Sequence, residues 1–314
     1  MALSRLLPRL QPRPEPESEP EHEVSVEAVE EPPRLQAVPT PSPAPSLAPA
    51  ADGALMANVI ALANQKGGVA KTTTVASIGA ALAELGHKVL LVDLDPQACL
   101  TFSLGVDPED LELSVHHVLT KGLAPGEAIL ETEDGVDLLP ATIELARAEA
   151  DLLTRTGREH VLAGVVADLG EAGAGYDWIL LDCPPSLGVL TVAALTAAQG
   201  VLIPLQCETL SHRGVGQLLD TVHDVRRFTN KGLEVWGVLP TLYDGRTNHS
   251  RTVLETISET YDLEVVEPPI PKTIKFAEAP ARGRSILATS RSSKGARAYR
   301  EVAANLAERA SARG

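Results

Sequence analysis

The sequence has 314 residues, of which 44% are hydrophobic and only 3% aromatic, and it carries a formal net charge of −15 at pH 7. This length allows one α/β domain with a tail or two domains, and the composition requires a core of Ala, Val, Leu and Ile. No run of about 18 apolar residues occurs, which argues against a membrane-spanning helix. The acidic balance argues against nucleic-acid binding by the whole surface, but not by a local basic patch.

Three cysteines lie far apart in the sequence, at Cys99, Cys183 and Cys207. They form no CxxC pair or Cys/His cluster of the kind that holds a metal ion. At the N-terminus, Pro8 and Arg9 interrupt the apolar stretch before it reaches the length of a signal-peptide core. These features predict a cytoplasmic protein that is not exported.

The first 55 residues differ in composition from the rest of the chain. They hold twelve of the 24 prolines and include the runs PRPEPESEPEHE and PTPSPAPSLAPA. Such a segment cannot bury enough apolar surface to offset the entropy lost on ordering, so residues 1–55 are predicted to be a disordered tail. One compact domain is predicted over 56–314, and Met56 is a candidate alternative translation start.

From residue 58 onward, short β-branched runs alternate with helical stretches. This alternation predicts a single doubly wound, mostly parallel sheet flanked by helices, the α/β class. The predicted strands cover 58–64, 88–94, 136–139, 177–182, 199–205, 234–240 and 265–270. The predicted helices include 71–85, 142–155, 187–198, 209–228, 248–260 and 295–310.

A glycine-containing turn follows the first predicted strand and leads into an Ala-rich helix; its sequence from residue 64 is NQKGGVAKTTT. In this context, successive backbone N–H groups and the helix N-terminus face an anionic phosphate. We expect Lys71 to contact the β- and γ-phosphates and the Thr72 hydroxyl to bind Mg²⁺. The order of strand, glycines, Lys-Thr and helix predicts a fold of the P-loop NTPase type. The predicted nucleotide-binding residues of the loop are Lys66, Gly67, Gly68, Val69, Ala70, Lys71, Thr72 and Thr73.

The loop departs from the strict GxxxxGK[ST] pattern, because Gln65 and Ala70 stand where glycines are expected. What is present, KGGxxKT with the additional Lys66, resembles the deviant Walker A motif of the ParA and MinD family of ATPases. In that family the extra lysine reaches across a nucleotide-sandwich dimer to the partner's ATP. The resemblance implies ATP and Mg²⁺ as cofactors, an ATP-dependent homodimer, and a catalytic role for Lys66 beside Lys71. A methyl group at Ala70 is expected to strain the loop or slow turnover.

Acidic residues end the second and fourth predicted strands. The run DLDPQ places Asp93 and Asp95 at a strand end, and WILLD does the same for Asp182; ligands of open α/β sheets bind at this edge. By resemblance, Asp95 orients the attacking water, Asp93 supports Mg²⁺ through water, and Asp182 belongs to the Mg²⁺ shell and senses the γ-phosphate. A capping role is the alternative for Asp93.

The resemblance continues over essentially 58–310, and it implies adenine contacts for Thr241 and Pro271. The segment from Lys272 to Arg300 contains eight basic residues and one acidic residue, Glu278. This concentration predicts DNA binding through the backbone, without sequence preference and with a steep salt dependence. In ParA-type relatives the DNA-binding positions match Arg246, Lys272 and Lys275. The final predicted helix contains no Phe or Trp to insert into lipid, so no stable membrane association is expected.

Together these features predict an ATP hydrolase of chromosome or plasmid segregation. Its turnover would be slow and stimulated by a ParB-like partner, and its ATP-bound form would associate with the nucleoid. Two alternatives stay open: a MinD-like membrane-associated positioning ATPase, and a nucleotide-dependent scaffold or regulator with little hydrolysis.

Overall fold

The computed structural model describes residues 57–208 and 211–312. The predicted tail at 1–55 and the candidate start at Met56 lie outside the described residues, so both stay predictions. One sheet contains the strands β1 (Asn58–Leu62), β2 (Val89–Asp93), β3 (Leu130–Glu131), β4 (Asp137–Leu139), β5 (Trp178–Asp182), β6 (Gly200–Gln206) and β7 (Glu234–Thr241). Their order is β3-β4-β2-β5-β1-β6-β7, and every pair is parallel except β3 with β4.

The α-helices of the described residues are α1 (Lys71–Glu84), α2 (Cys99–Ser103), α3 (Val115–Lys121), α4 (Pro125–Ala128), α5 (Leu145–Leu153), α6 (Val161–Glu171), α7 (Val189–Ala197), α8 (Ser211–Phe228), α9 (Asn248–Tyr261), α10 (Lys275–Glu278), α11 (Ile286–Thr289) and α12 (Lys294–Ser311). Helices α1, α11 and α12 cover one face of the sheet, and α5 to α9 cover the other. The predicted doubly wound α/β class is confirmed.

The central strands are near-continuous apolar runs because both of their faces are covered by helices. In β1, Val59 and Ala61 belong to the core on the α5 to α9 side, whereas Ile60 and Leu62 belong to the core under α1 and α12. This alternation follows from the two-residue period of a strand. Each core is therefore built from alternate positions of the same short runs.

The strand register brings the predicted acidic residues to one edge of the sheet. Asp182 at the end of β5 lies opposite Leu62 of β1 and opposite Asp93 of β2. The turn that follows β1 therefore starts beside Asp182. The carboxyl edge of the sheet, where ligands of this fold class bind, carries all three predicted motifs.

The final helix α12 packs on the domain. Its apolar residues Tyr299, Val302 and Leu306 are buried, and the Tyr299 hydroxyl lies 2.9 Å from the hydroxyl of Thr74 in α1. The apolar face of α12 is thus occupied by the protein's own core. Within 57–208 and 211–312, no helix combines the length and the apolarity needed to cross a bilayer.

One predicted strand, 265–270, is wrong. Only isolated bridges form there, between Val265 and Val238 and between Pro271 and Tyr243. Prolines at 268, 269 and 271 supply no N–H group, so the segment cannot continue a ladder. The other six predicted strands are present, with ends within two residues of the prediction.

The named helices are also present, with ends that differ by up to three residues, although residues 209 and 210 lie outside the described part. The structure also contains elements that were not predicted individually: β3, α6 and the short helices α2, α3, α4, α10 and α11. Short elements of this kind carry too few residues to show a period.

Candidate nucleotide-binding site

The turn between β1 and α1 has the backbone of an anion-binding loop. Gly68 and Ala70 adopt left-handed conformations, with φ of 75° and 61°. Ala70 is the N-cap of α1, no side chain caps this helix, and its first turn holds no acidic residue. The first amide N–H groups of α1 are therefore open to an anionic ligand.

Side chains from neighbouring strands anchor this loop. The Asn64 amide nitrogen donates to the carbonyl oxygen of Pro204 in β6 at 2.8 Å, and its Oδ1 accepts from the Lys66 N–H at 3.0 Å. The Thr241 hydroxyl at the end of β7 donates to the Val69 carbonyl at 2.8 Å. The loop is thus held by both strands on one side of β1 before any ligand binds.

Lys71, the first residue of α1, is only 7% exposed. Its Nζ lies 3.4 Å from the carbonyl oxygen of Lys66, so the side chain folds back over the loop. Burial lowers the pKa of this ammonium group, and the Asp182 carboxyl acts in the opposite direction. An anionic phosphate on the loop would restore a favourable environment for the charge.

Asp182 is fully buried, and neither of its carboxyl oxygens has a hydrogen bond of normal geometry. Burial is the main cause that raises its pKa well above the ordinary value; nearby Asp93 adds to this, while the Thr72 hydroxyl and Lys71 lower it. A buried carboxylate without a partner is costly, and a bound cation removes that cost. Oxygen ligands such as these suit Mg²⁺, so Asp182 and Thr72 fit the predicted metal site.

Asp93 is also fully buried, but its carboxyl group is engaged by the protein. It accepts hydrogen bonds from the N–H groups of Asp95, at 3.1 Å, and Thr101, at 2.9 Å, and from the Thr101 hydroxyl at 2.7 Å. Burial raises its pKa to about 6, against the lowering effect of these bonds. The geometry matches the capping alternative for Asp93, and a contact to Mg²⁺ through water stays a prediction.

Asp95 is half-buried, and its Oδ1 accepts from the Gln97 N–H at 2.9 Å. Its carboxyl group is near enough to influence the pKa of both Lys71 and Asp182. Asp95 is thus the partly exposed carboxylate of the site, in contrast to the buried Asp93 and Asp182. Its role with the attacking water stays a prediction.

Lys66 forms an ion pair with Glu208 of its own chain, just after β6. The two side chains are 31% and 51% exposed, and a pair this accessible to solvent is worth about 0–1 kcal/mol. Breaking the pair costs little, so the geometry is compatible with the predicted role of Lys66 across a dimer. That role stays a prediction.

The two predicted adenine contacts differ in accessibility. Thr241 is completely buried and its hydroxyl donates a hydrogen bond to the Val69 carbonyl, whereas Pro271 is half-buried beside Tyr243. Both adenine contacts stay predictions.

The predicted DNA contacts lie on exposed side chains. Arg246 is 91% exposed, although Asp244 holds its guanidinium through two bonds, Nε to Oδ1 at 2.9 Å and Nη2 to Oδ2 at 3.1 Å. Lys272 and Lys275 are exposed as well, and the Lys272 N–H bonds to the carbonyl oxygen of Tyr243 at 3.3 Å. The structure thus links the two chain segments that carry these cations.

Not all of the charge counted between residues 272 and 300 is available to a ligand. Arg284 pairs with Glu133 and Asp134, and Arg300 pairs with Glu84. These pairs join the C-terminal segment to other parts of the domain. The net charge of the segment therefore overstates its attraction for an anion.

Sequence reasoning missed three residues of the site: Asn64, Thr101 and Glu208. Asn64 and Glu208 follow strand ends, which is a weak signal for a functional position. Thr101, which accepts from the Ala141 N–H at 3.0 Å while it holds Asp93, lies in a short helix without any motif. Their roles depend on contacts with residues distant in the sequence.

Comparison with known proteins places these features in a family. An AAA domain family model matches residues 57–235, which include the phosphate loop and the ends of β2 and β5. The sporulation initiation inhibitor protein Soj of Bacillus subtilis is 42% identical over 255 residues, 80% of this chain and 100% of that protein. The chromosome-partitioning ATPase Soj of Thermus thermophilus is 44% identical over 246 residues, 78% of this chain and 93% of the relative.

A solved structure is also similar. Cobyrinic acid a,c-diamide synthase from Mycobacterium smegmatis, crystallised with ADP and magnesium, is 55% identical with a TM-score of 0.71, over 80% of this chain and 94% of that one. The same protein was crystallised with an ATP analogue and magnesium. Because the two Soj proteins are 42% and 44% identical to this chain over nearly their whole length, the chain belongs to the ParA and Soj family of chromosome-partitioning ATPases.

Proposed function

We propose that this protein is an ATPase that dimerises around ATP, binds DNA without sequence preference, and acts in chromosome or plasmid segregation with a ParB-like partner. The observation that carries the nucleotide chemistry is the buried carboxyl group of Asp182 beside Lys71 and Thr72, which has no hydrogen bond of normal geometry. ATP and Mg²⁺ as cofactors agree with the ADP, ATP analogue and magnesium bound to the M. smegmatis protein.

The loop binds the phosphates of ATP through its backbone. Amide N–H groups and the uncapped N-terminus of α1 attract the phosphate oxygens, and the Lys71 ammonium adds a positive charge next to them. Asp182 and Thr72 would hold Mg²⁺, which when bound neutralises charge on the phosphate oxygens. Burial of Asp182 excludes water from this contact and strengthens it.

Asp95 orients the water that attacks the γ-phosphorus, and the products are ADP and phosphate. Lys66 of a second copy supplies a cation to the charge that develops on the transferred group, as an arginine finger does in other ATPases. In a single chain Lys66 pairs with Glu208 instead. We therefore propose slow turnover by the isolated protein and faster turnover when a ParB-like partner favours the productive dimer.

DNA binding is proposed for the exposed cations Arg246, Lys272 and Lys275. Backbone hydrogen bonds between the segments that carry them keep these cations in one region. Cations that neutralise phosphates release counterions, so affinity falls as salt rises. The apolar face of α12 is buried, and this favours DNA over a membrane surface as the partner.

The test measures binding of the full-length protein to non-specific duplex DNA with no nucleotide, ADP or ATP, at two salt concentrations. We expect binding that requires ATP, weakens with salt and persists in Asp95→Ala, because this variant holds ATP without hydrolysing it. Lys71→Ala should abolish ATP binding, and Lys66→Ala should block productive dimers. ATP-independent binding, or none in any state, contradicts the proposal, and normal hydrolysis by Asp95→Ala contradicts the catalytic role of that residue.

A control separates local contacts from total charge. Lys272→Ala should reduce DNA affinity, whereas Lys231→Ala removes the same charge from an exposed position just before β7. Lys231 therefore lies at the amino ends of the parallel strands, whereas the phosphate loop lies at their carboxyl ends. Equal effects of the two substitutions would contradict the proposed DNA site.

The name of the M. smegmatis protein favours a second candidate function, ATP-dependent amide synthesis on cobyrinic acid. Such a reaction would use the same phosphate site, but a carboxylate would accept the phosphoryl group in place of water. Phosphate release that depends on cobyrinic acid and ammonia, and not on DNA, would establish this candidate. Release stimulated by DNA and unaffected by cobyrinic acid would support the partition function.

A further inference from the structure

Thr241 connects the phosphate loop to β7, the last strand in the order of the sheet. It is the last residue of β7, it is completely buried, and its hydroxyl donates to the carbonyl oxygen of Val69 at 2.8 Å. The two residues are 172 positions apart in the sequence. This bond is therefore a tertiary contact onto the backbone of the loop itself.

The bond controls more than one atom of the loop. Because a peptide unit is planar and trans, its C=O and N–H groups point in opposite directions. Fixing the Val69 carbonyl therefore also fixes the direction of the Ala70 N–H. Ala70 adopts the left-handed conformation with φ of 61°, which an L-residue keeps only when its surroundings hold it there. The Thr241 hydroxyl supplies part of that restraint.

The chain that follows Thr241 carries the cations of the proposed DNA site. Leu242 is left-handed, with φ of 49°, and the Tyr243 N–H then bonds to the Ile270 carbonyl at 2.9 Å. Lys272 bonds back to the Tyr243 carbonyl at 3.3 Å. The segments that bear Arg246 and Lys272 are thus tied by short backbone contacts to the residue that holds the phosphate loop.

We propose that Thr241 is a positioning residue that orients the phosphate loop through the Val69 carbonyl and couples nucleotide binding there to the basic segments around Arg246 and Lys272. The hydroxyl performs this role, since no other part of the side chain can donate a hydrogen bond. A phosphate that rearranges the loop would move the Val69 carbonyl and, through it, the end of β7. The DNA part of the inference rests on the proposed function.

The test compares Thr241→Val with Thr241→Ser in the full-length protein. Valine keeps the shape but leaves the buried carbonyl without its donor, and the loss of such a bond weakens the dependent equilibrium roughly tenfold. We expect Thr241→Val to raise the Kd of a fluorescent ATP analogue by about that factor and to raise KM more than it lowers kcat. Thr241→Ser should restore values close to wild type.

The coupling is measured as the ratio of the DNA Kd with ADP to the DNA Kd with ATP, both at saturating nucleotide. We expect this ratio to fall towards one in Thr241→Val and to recover in Thr241→Ser. Coupling between sites requires evidence of this kind, because proximity alone does not establish it. A ratio that stays at the wild-type value in Thr241→Val would overturn the coupling.

A matched control separates positioning from stability. Thr196→Val removes a buried hydroxyl that lies 2.9 Å from the Thr229 hydroxyl, at the end of α7 away from the phosphate loop. It should lower Tm without changing the Kd of the ATP analogue. If Thr241→Val lowers only Tm, or if Thr241→Ser behaves like Thr241→Val, the positioning role is overturned.

The outcomes distinguish this inference from the proposed function. If the wild-type protein binds no DNA in any nucleotide state, the proposed function and the coupling both fail, while the ATP-analogue Kd still decides the positioning role. If DNA binding depends on ATP but Thr241→Val leaves every value unchanged, the inference alone fails.

Discussion

The substitution Ala70→Gly tests the backbone of the phosphate loop. Ala70 has φ of 61°, a conformation that costs an L-residue about 1–2 kcal/mol and glycine almost nothing. Glycine also loses more backbone entropy on folding, which costs about 0.5–1 kcal/mol. As an N-cap residue, however, glycine is preferred to alanine. The net effect should be a gain of about 1 kcal/mol in the free energy of unfolding.

The assay is thermal unfolding of the nucleotide-free protein, followed by circular dichroism. For a domain of this size, a gain of about 1 kcal/mol raises Tm by roughly 2–4 °C. In the presence of MgATP, kcat of Ala70→Gly should also rise, because the loop reaches its bound conformation without strain.

Gly68→Ala is the control in the same loop. Gly68 has φ of 75°, and no atom beyond its two chain neighbours lies within 4 Å of an added Cβ, so only the backbone conformation opposes alanine there. This variant should lose about 1 kcal/mol of stability. A lower Tm for Ala70→Gly, or no change while Gly68→Ala loses stability, would refute the strain at Ala70.

Three further predictions concern charge. Burial raises the pKa of Asp93 from 3.8 to about 6, so between these values the folded state holds a proton that the unfolded state has released. In Mg²⁺-free buffer the free energy of unfolding should therefore fall by on the order of 2 kcal/mol as pH rises from about 4 to about 6. Urea unfolding that shows a rise in this free energy instead would contradict the raised pKa of Asp93. Asp244→Ala releases the Arg246 guanidinium and should strengthen DNA binding several-fold at low salt, as measured by fluorescence anisotropy; weaker binding would show that Arg246 does not contact DNA. Glu208→Gln releases Lys66 and should strengthen ATP-dependent dimerisation by up to about fivefold, which corresponds to the free energy of an exposed ion pair. Sedimentation experiments measure this change, and weaker dimerisation would assign Glu208 to the dimer contact itself.

Local sequence determined the fold class and the phosphate site. Apolar runs that end in acidic residues predict β2 and β5, and the turn with Lys66 and Lys71 indicates where β1 ends. Parallel strands place their carboxyl ends at one edge, so their order along the chain already implies that these motifs meet. These short motifs are therefore sufficient to predict both the fold class and the position of the phosphate site.

Only the tertiary structure decided which polar groups are paired and which are not. Asp93 and Asp182 end similar strands, yet Thr101 satisfies the first carboxyl group while the second has no hydrogen bond of normal geometry. The partners of Lys66 and of the Val69 carbonyl lie 142 and 172 residues away in the sequence. Hydrogen bonds and burial depend on how distant segments pack, and residue type and spacing carry no record of that packing.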